Sequence, residues 1–182
     1  MSLYADSIYP VREDVAATHA LQFEKLGSPG TWGTAAQRVA IVNEAREAGY
    51  QAGVMEKPND PGATPDVKLS EAAHRVVHRL AVSPKDMDQA FYDKAIEDGL
   101  SDVEYVEIVG LIARFTCFDV LARGIGVPLR PLPQPQGGYH RVRGLQRRWS
   151  KKLGFQPYLT SPTVEKLPRS FLVHGSRISC AV

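Results

Sequence analysis

The chain has 182 residues, of which 43% are hydrophobic and 23% are charged, so it can bury a core and is not globally disordered. It has no apolar run of the roughly 20 residues that a membrane span needs, and its first residues lack a secretory signal pattern. Its two cysteines, Cys117 and Cys180, form neither a disulfide framework nor a zinc motif. We therefore expect a cytoplasmic protein with one domain plus appendages, and no cofactor.

Charge divides the chain into two parts. Residues 1–129 hold 12 Lys and Arg against 19 Asp and Glu, a net charge of −7. Residues 130–182 hold 10 Lys and Arg against one acid, a net charge of +9. This asymmetry predicts an acidic helical domain at 1–129, followed by a proline-rich linker and a basic, poorly ordered tail at 130–182.

The acidic part is dominated by helix signals. Acids near residue 13 open a first helix that ends before Gly27. Thr34 and Gln37 form a capping box for a second helix over residues 35–51. The segment from 54 to 69 contains three prolines and is predicted to be a surface loop.

Three further helices are predicted after this loop. Ser70 caps a short helix with an apolar face. Ser83, with proline at the first helical position, begins the next one, which ends before Gly99. Ser101 and Glu104 form a second capping box that opens a long, mostly apolar helix reaching residue 124 or 126. The predicted fold class is therefore all-α, a multi-helix bundle.

Two segments carry a family resemblance. The sequence DMDQAFYDKAIEDGLSDVEYVEIVGLIARFTCFDVLARGIGVPL resembles the closing helices of the AhpD-like, carboxymuconolactone decarboxylase superfamily. The sequence LGSPGTWGTAAQRVAIVNEAREA resembles an earlier turn, cap and apolar helix of that superfamily. The resemblance covers about residues 10–133 and excludes the basic tail. It implies an AhpD-like helical scaffold that forms homo-oligomers.

The chain departs from that superfamily at its redox centre. Active alkylhydroperoxidases of the superfamily carry Cys-x-x-Cys on a helix, where one thiolate attacks peroxide and the other resolves the product. Where the pair would fall, at residues 50–53, this chain reads YQAG. Some relatives carry two units in one chain with the cysteines in the second, and by this resemblance we expect the present chain to correspond to a degenerate first unit.

The long helix holds three candidate catalytic residues. Cys117, between Phe115 and Phe118, is predicted to be a buried thiol, and burial slows its reaction. Glu107 and Arg114 lie two turns apart on one face of the helix. In a pocket Glu107 could act as a general base; we favour an ion pair or a subunit contact over that role.

His74 and His78 are the candidate metal ligands. They lie four residues apart, with Glu71 one turn before them, so all three share a helix face. However, the arginines at 75 and 79 flank the histidines, and no second cluster supplies more ligands. We therefore favour an exposed helix face and assign no metal.

The basic tail allows an interaction with acidic partners. Trp149 lies within a cluster of cations, namely Arg141, Arg143, Arg147, Arg148, Lys151 and Lys152. Such a run could contact phosphates while the indole stacks on a base. Because no nucleic-acid-binding motif accompanies it, we favour a solvated tail over nucleic-acid binding.

Three functions follow from these observations. The first is an AhpD-like domain without its cysteine pair, acting as an oligomerising unit or binding a small molecule near Glu107 and Arg114. The second is a cofactor-free, decarboxylase-like enzyme that uses Glu107 or a histidine for proton transfer. The third is an adaptor that binds nucleic acid or another acidic surface through the tail.

Overall fold

The structure is a computed structural model that describes residues 3–138. Within that range it contains five α-helices, two short 3-10 turns and no β-strand. The helices are α1 (Glu13–Glu24), α2 (Ala35–Gln51), α3 (Glu71–Val82), α4 (Gln89–Glu97) and α5 (Asp102–Gly124). The predicted all-α fold is confirmed for these residues. None of the five helices is long and apolar enough to cross a membrane.

Side-chain caps begin three helices where the sequence predicts them. Thr34 accepts a hydrogen bond from the backbone N–H of Gln37, and the Gln37 side chain returns one to the N–H of Thr34. Ser70 accepts from the backbone N–H of Ala73, and Ser101 accepts from the third residue of α5. Each bond satisfies a backbone donor that has no partner within its helix.

The predicted start of the fourth helix is wrong. Residues Pro84–Asp86 form a separate 3-10 turn, and α4 begins only at Gln89. The Ser83 side chain accepts no hydrogen bond from a helix N–H and therefore caps no helix; its hydroxyl donates to the Asp86 carboxylate at 2.6 Å. Asp88 is the cap instead, because its Oδ1 accepts from the backbone N–H of the third residue of α4 at 2.8 Å.

The core lies where α2, α3 and α5 pack against one another. Helix α1 and the 3-10 turn that follows it lie beside this group, and α4 packs on α3. The largest fully buried side chains are Leu26, Val39, Ile41, Val42, Val76, Val77, Ile108 and Ile112. Burial of each such side chain stabilises the fold by about 1.5–3 kcal/mol, and all of them except Leu26 belong to α2, α3 and α5.

The first residues of the proline-rich segment pack on the helices. Leu132 is 3% exposed, and its carbonyl accepts a hydrogen bond from the N–H of Ala63 at 3.0 Å. Gly62 has a φ of +81° there, and a Cβ on it would overlap the backbone of Leu132. Further along, the N–H of Gln136 donates to the carbonyl of Gly27 at 2.6 Å, so the body of the fold continues past residue 129, at least to Gln136. The cationic cluster around Trp149, with the rest of the tail, lies outside the described residues.

Candidate functional site

Glu107 on α5 forms a nearly buried ion pair with Arg38 on α2. The side chains of Arg38 and Glu107 are 10% and 11% exposed, and a guanidinium nitrogen of Arg38 hydrogen-bonds to Oε1 of Glu107. The Thr31 hydroxyl donates to the other carboxylate oxygen at 2.8 Å. Both oxygens of Glu107 are thus engaged within the chain.

The surroundings of this pair leave little room beside it. Burial lowers the pKa of Arg38, and the charge and hydrogen bond of Glu107 oppose that shift. Gly30 lies so close that a Cβ at this position would overlap both the carboxylate and the guanidinium. The arrangement holds the loop before α2 against α5, and a substrate would have to displace the ion pair to reach Glu107.

Arg114 does not pair with Glu107. It is exposed, and its guanidinium donates to Oε1 of Gln22 on α1 at 3.0 Å. The predicted ion pair of Glu107 therefore exists with a different partner from a different helix. Residues two turns apart lie on one face of a helix. They need not pair with each other, because a cation on a neighbouring helix can bind the carboxylate instead.

Cys117 is exposed, so its predicted burial is wrong. Phe115 and Phe118 are buried and lie three residues apart on the core side of α5. Each helical residue is rotated by about 100° from the one before, which turns the intervening Cys117 away from both rings. The thiol therefore lies on the outer surface of α5.

The outer surface of α5 is itself apolar. Seven exposed residues recur at alternating intervals of three and four, and we name them the α5 stripe: Val103, Val106, Gly110, Ala113, Cys117, Val120 and Gly124. The side chains of Val106 and Val120 are 67% and 55% exposed. Apart from the local helix backbone, no atom of the described residues lies within 4 Å of the place where a Cβ would stand on either glycine. The helix is therefore apolar on two opposite faces, and among residues 3–138 only one of these faces is covered.

A second buried ion pair joins α2 to α5. Arg46 and Asp119 have side chains that are 4% and 6% exposed. Their two parallel hydrogen bonds measure 2.9 and 2.7 Å, and Arg46 also donates to the carbonyl of Arg130 at 2.9 Å. Sequence reasoning did not single out this pair, because the pairing depends on how two distant helices meet.

His74 and His78 lie together on the outer side of α3, and Glu44 on α2 approaches both. Glu44 Oε1 is 2.8 Å from Nε2 of His74 and 2.7 Å from Nε2 of His78. The two imidazoles stack with centroids 4.0 Å apart and planes inclined by 24°. The sequence identified the histidines but missed Glu44, whose position depends on the packing of α2 against α3. Glu71 is not part of the cluster.

The remaining described histidine lies elsewhere. His19 Nδ1 is 2.6 Å from the Tyr4 hydroxyl, and burial lowers the pKa of His19. Burial also raises the pKa of Tyr4 to about 12, with smaller contributions from Cys117 and Asp119. None of the three described histidines appears among the hydrogen-bond partners of Glu107, so the structure does not assemble the acid–base pair that the decarboxylase-like hypothesis would use.

A shallow cleft lies next to Tyr4 rather than next to Glu107. It encloses about 210 Å³, open solvent included, and is lined by Leu3, Tyr4, Phe23, Phe118, Asp119, Ala122 and Arg130. Because that figure includes open solvent, the space enclosed by the protein itself is far below the roughly 300–1,000 Å³ of typical small-molecule sites. The cleft therefore gives little support to ligand binding there.

Comparison of the chain with protein-family models, with curated proteins and with solved structures finds no match.

Proposed function

We propose that this chain is a degenerate AhpD-like helical unit that acts by assembling with a second copy of itself through the α5 stripe. The observation that carries the proposal is the stripe: seven exposed small or apolar residues in a row along one helix. Apolar surface of this kind on a folded protein is typical of an interaction site.

The spacing of the stripe suits a helix as its partner. Alternating steps of three and four residues keep side chains on one line of a helix surface. From Val103 to Val120 and on to residue 124 the line extends over roughly 30 Å, at about 1.5 Å per residue. A second helix laid along it would cover the stripe over its whole length. The small side chains at the centre, Gly110 and Ala113, permit the two backbones to approach closely.

The order of residue sizes favours an antiparallel pair of α5 helices. Full overlap places a two-fold axis near Ala113, so that Gly110 of one copy lies level with Cys117 of the other. Val106 then lies level with Val120, and Val103 with the last glycine. A parallel pair would instead set each glycine against itself and leave a gap at both levels. A two-fold contact uses the same surface on both copies.

The charges at the ends of α5 also favour the antiparallel arrangement. Asp102 lies in the first turn of the helix and Arg123 in the last, each next to the stripe. In an antiparallel pair, Arg123 of each copy lies at the Asp102 end of the other copy's α5, so the two-fold axis produces this arrangement twice. Charged residues that flank a helix seam set the orientation of the partner. Arg114 lies near the two-fold axis, and its guanidinium donates a hydrogen bond to Gln22 on α1, which holds the side chain on the α1 side of the helix.

The test is sedimentation velocity of the full chain at micromolar concentration, compared with Ala113→Glu. The wild type is expected to sediment as a dimer. The variant places two carboxylates together at the two-fold axis and should sediment as a monomer with unchanged helix content by circular dichroism. Val54→Glu is the matched control, because Val54 is an exposed apolar residue, 44% accessible, outside α5; it should remain dimeric.

Two outcomes would contradict the proposal. One is a wild-type chain that is monomeric at tens of micromolar. The other is a dimer that Ala113→Glu leaves intact, since that dimer would use a different surface.

A further inference from the structure

The cluster of Glu44, His74 and His78 has the composition of a metal site. Two imidazole nitrogens and one carboxylate oxygen are the protein ligands of many zinc centres in which a water molecule takes the fourth position. The donor atoms of the three residues all lie within 4.8 Å of one another. The set comes from two helices, with the histidines four residues apart on α3 and the glutamate on α2.

We infer that Glu44, His74 and His78 bind a divalent transition-metal ion of the Zn²⁺ class. Nε2 of His74 and Nε2 of His78 lie 2.8 and 2.7 Å from the same carboxylate oxygen, and the His78 contact is a hydrogen bond. A cation could enter between them with small side-chain rotations, because zinc bonds to nitrogen and oxygen are about 2.0–2.2 Å long. The ligands therefore converge on one point before any metal arrives.

The backbone that carries these ligands is firmly held. Ala73, Val76 and Val77, on the inner side of α3, are at most 1% exposed, and Val42 of α2 is also 1% exposed. The ligand side chains lie outside this contact, with exposed fractions of 52% for His74, 32% for His78 and 30% for Glu44. A metal ion can thus enter from solvent, and a water ligand can occupy the open position.

The flanking arginines do not oppose the ion as the sequence suggests. Arg75 forms an ion pair with Asp98 at the end of α4. Arg79 lies 3.8 Å from Asp86 and over the ring of Phe91, with its guanidinium 5.3 Å from the ring centre. Both cations are compensated by groups from the α4 side, while Glu44 supplies a negative charge to the cluster itself.

A hydrogen-bonded network without metal would share this geometry, so the test must be a metal titration. The full chain is titrated with Zn²⁺ by calorimetry, and in parallel with Co²⁺ by visible absorption. We expect one Zn²⁺ per chain at the cluster, and a Co²⁺ d–d band without a thiolate-to-cobalt charge-transfer band, because no cysteine belongs to the cluster. Mg²⁺, which prefers oxygen ligands in octahedral geometry, should give no saturable binding.

Three variants remove one ligand each: Glu44→Gln, His74→Gln and His78→Gln. Each should weaken Zn²⁺ binding at least about 100-fold, beyond the ~10–100-fold that loss of an outer-sphere partner costs. The matched control is Glu71→Gln, which changes an exposed acid on the same helix and should bind as the wild type does. Excess Zn²⁺ should raise the melting temperature of the wild type and the control only.

These measurements can overturn the inference. If all three variants still bind Zn²⁺ as the wild type does, the metal binds at another place in the chain. If the wild type binds Zn²⁺ only at millimolar concentration, the cluster is a hydrogen-bonded network and not a metal site. Because the cluster uses α2 and α3, the monomeric Ala113→Glu chain should bind Zn²⁺ like the wild type. Failure of the dimer and failure of the metal site are therefore separable.

Discussion

Arg46 on α2 and Asp119 on α5 form a bidentate, almost fully buried ion pair that joins the two longest helices of the described chain. The side chains are 4% and 6% exposed, and the third bond of Arg46 extends the link to the carbonyl of Arg130. One guanidinium thus connects α2, α5 and the start of the proline-rich segment. Bidentate pairs of this kind fix geometry as well as charge.

The first prediction concerns the loss of this pair. Asp119→Ala leaves a buried guanidinium without its carboxylate, and such a change costs about 3–5 kcal/mol. We expect a loss of that size in the free energy of unfolding, measured by urea denaturation and circular dichroism. The double variant Arg46→Met/Asp119→Leu removes both charges and should recover most of the loss.

The exposed pair of Arg12 and Asp14 is the matched control, because it is also an arginine–aspartate pair but its side chains are 79% and 65% exposed. Asp14→Ala should leave the free energy of unfolding close to that of the wild type. If Asp119→Ala were equally harmless, the buried ion pair would have no role in stability.

The second prediction concerns the ion pair of Glu107 with Arg38. Glu107→Gln keeps the shape of the side chain but leaves the buried Arg38 charge without a counter-charge, so it should destabilise the fold by about 3 kcal/mol. Thr31→Val removes only one hydrogen bond to the same carboxylate and should cost about 1 kcal/mol. Urea denaturation of both variants measures the two losses in the free energy of unfolding. A larger loss for Thr31→Val than for Glu107→Gln would contradict the prediction.

Local signals in the sequence predict most of the helix boundaries. Thr34, Ser70 and Ser101 cap the helices that they precede, because a cap is decided by residues within three positions of it. The same rule failed at Ser83, whose side chain caps nothing: the turn after it ends at Asp86, and the side chain of Asp88 caps α4 instead. A cap pattern in the sequence therefore identifies a candidate start, and a second candidate a few residues later can be the one that the helix uses.

The sites were harder to predict, because each depends on how separate helices meet. Sequence spacing identified His74 and His78 on one helix, but the third member of the cluster, Glu44, is 30 residues away from His74 on another. For Cys117 the difficulty was different. Helix α5 is apolar on two faces, so hydrophobic pattern alone does not tell which face the chain covers.

The third prediction is a dependence of stability on pH. Glu104 is half-buried, and burial raises its pKa above 4.5, while a hydrogen bond from the backbone of Ser101 lowers it. The native state therefore holds this proton more tightly than the unfolded state does. The contribution of Glu104 to the free energy of unfolding therefore falls as the pH rises through the raised pKa, and it is restored as the pH falls.

Glu104→Gln removes this contribution and keeps a side chain that suits the capping box. The variant should gain stability relative to the wild type as pH rises from about 4.5 to neutrality. Urea denaturation at several pH values in that range measures the difference. A difference that does not change with pH would show that the Glu104 carboxyl titrates alike in the folded and unfolded chains.

The fourth prediction tests the orientation of the proposed dimer. In the antiparallel arrangement Gly110 of one copy lies level with Cys117 of the other, and a Cβ at Gly110 would contact no other segment of the described part of its own chain within 4 Å. A Gly110→Cys chain should therefore form a covalent dimer under mild oxidation, since disulfides need Cα atoms about 4.4–6.8 Å apart. Non-reducing gel electrophoresis detects the cross-link, with Cys180→Ser as the common background.

Two further chains separate this arrangement from its alternative. With Cys117 as the only cysteine, an antiparallel pair keeps the two thiols far apart, so oxidation should give no covalent dimer. A parallel pair would set Cys117 against Cys117 and cross-link readily. Adding Cys117→Ser to the Gly110→Cys chain should abolish its cross-link, because the two introduced thiols then lie on opposite sides of the two-fold axis at Ala113. A cross-link that persists without Cys117 would place the axis near Gly110 and exclude the proposed register.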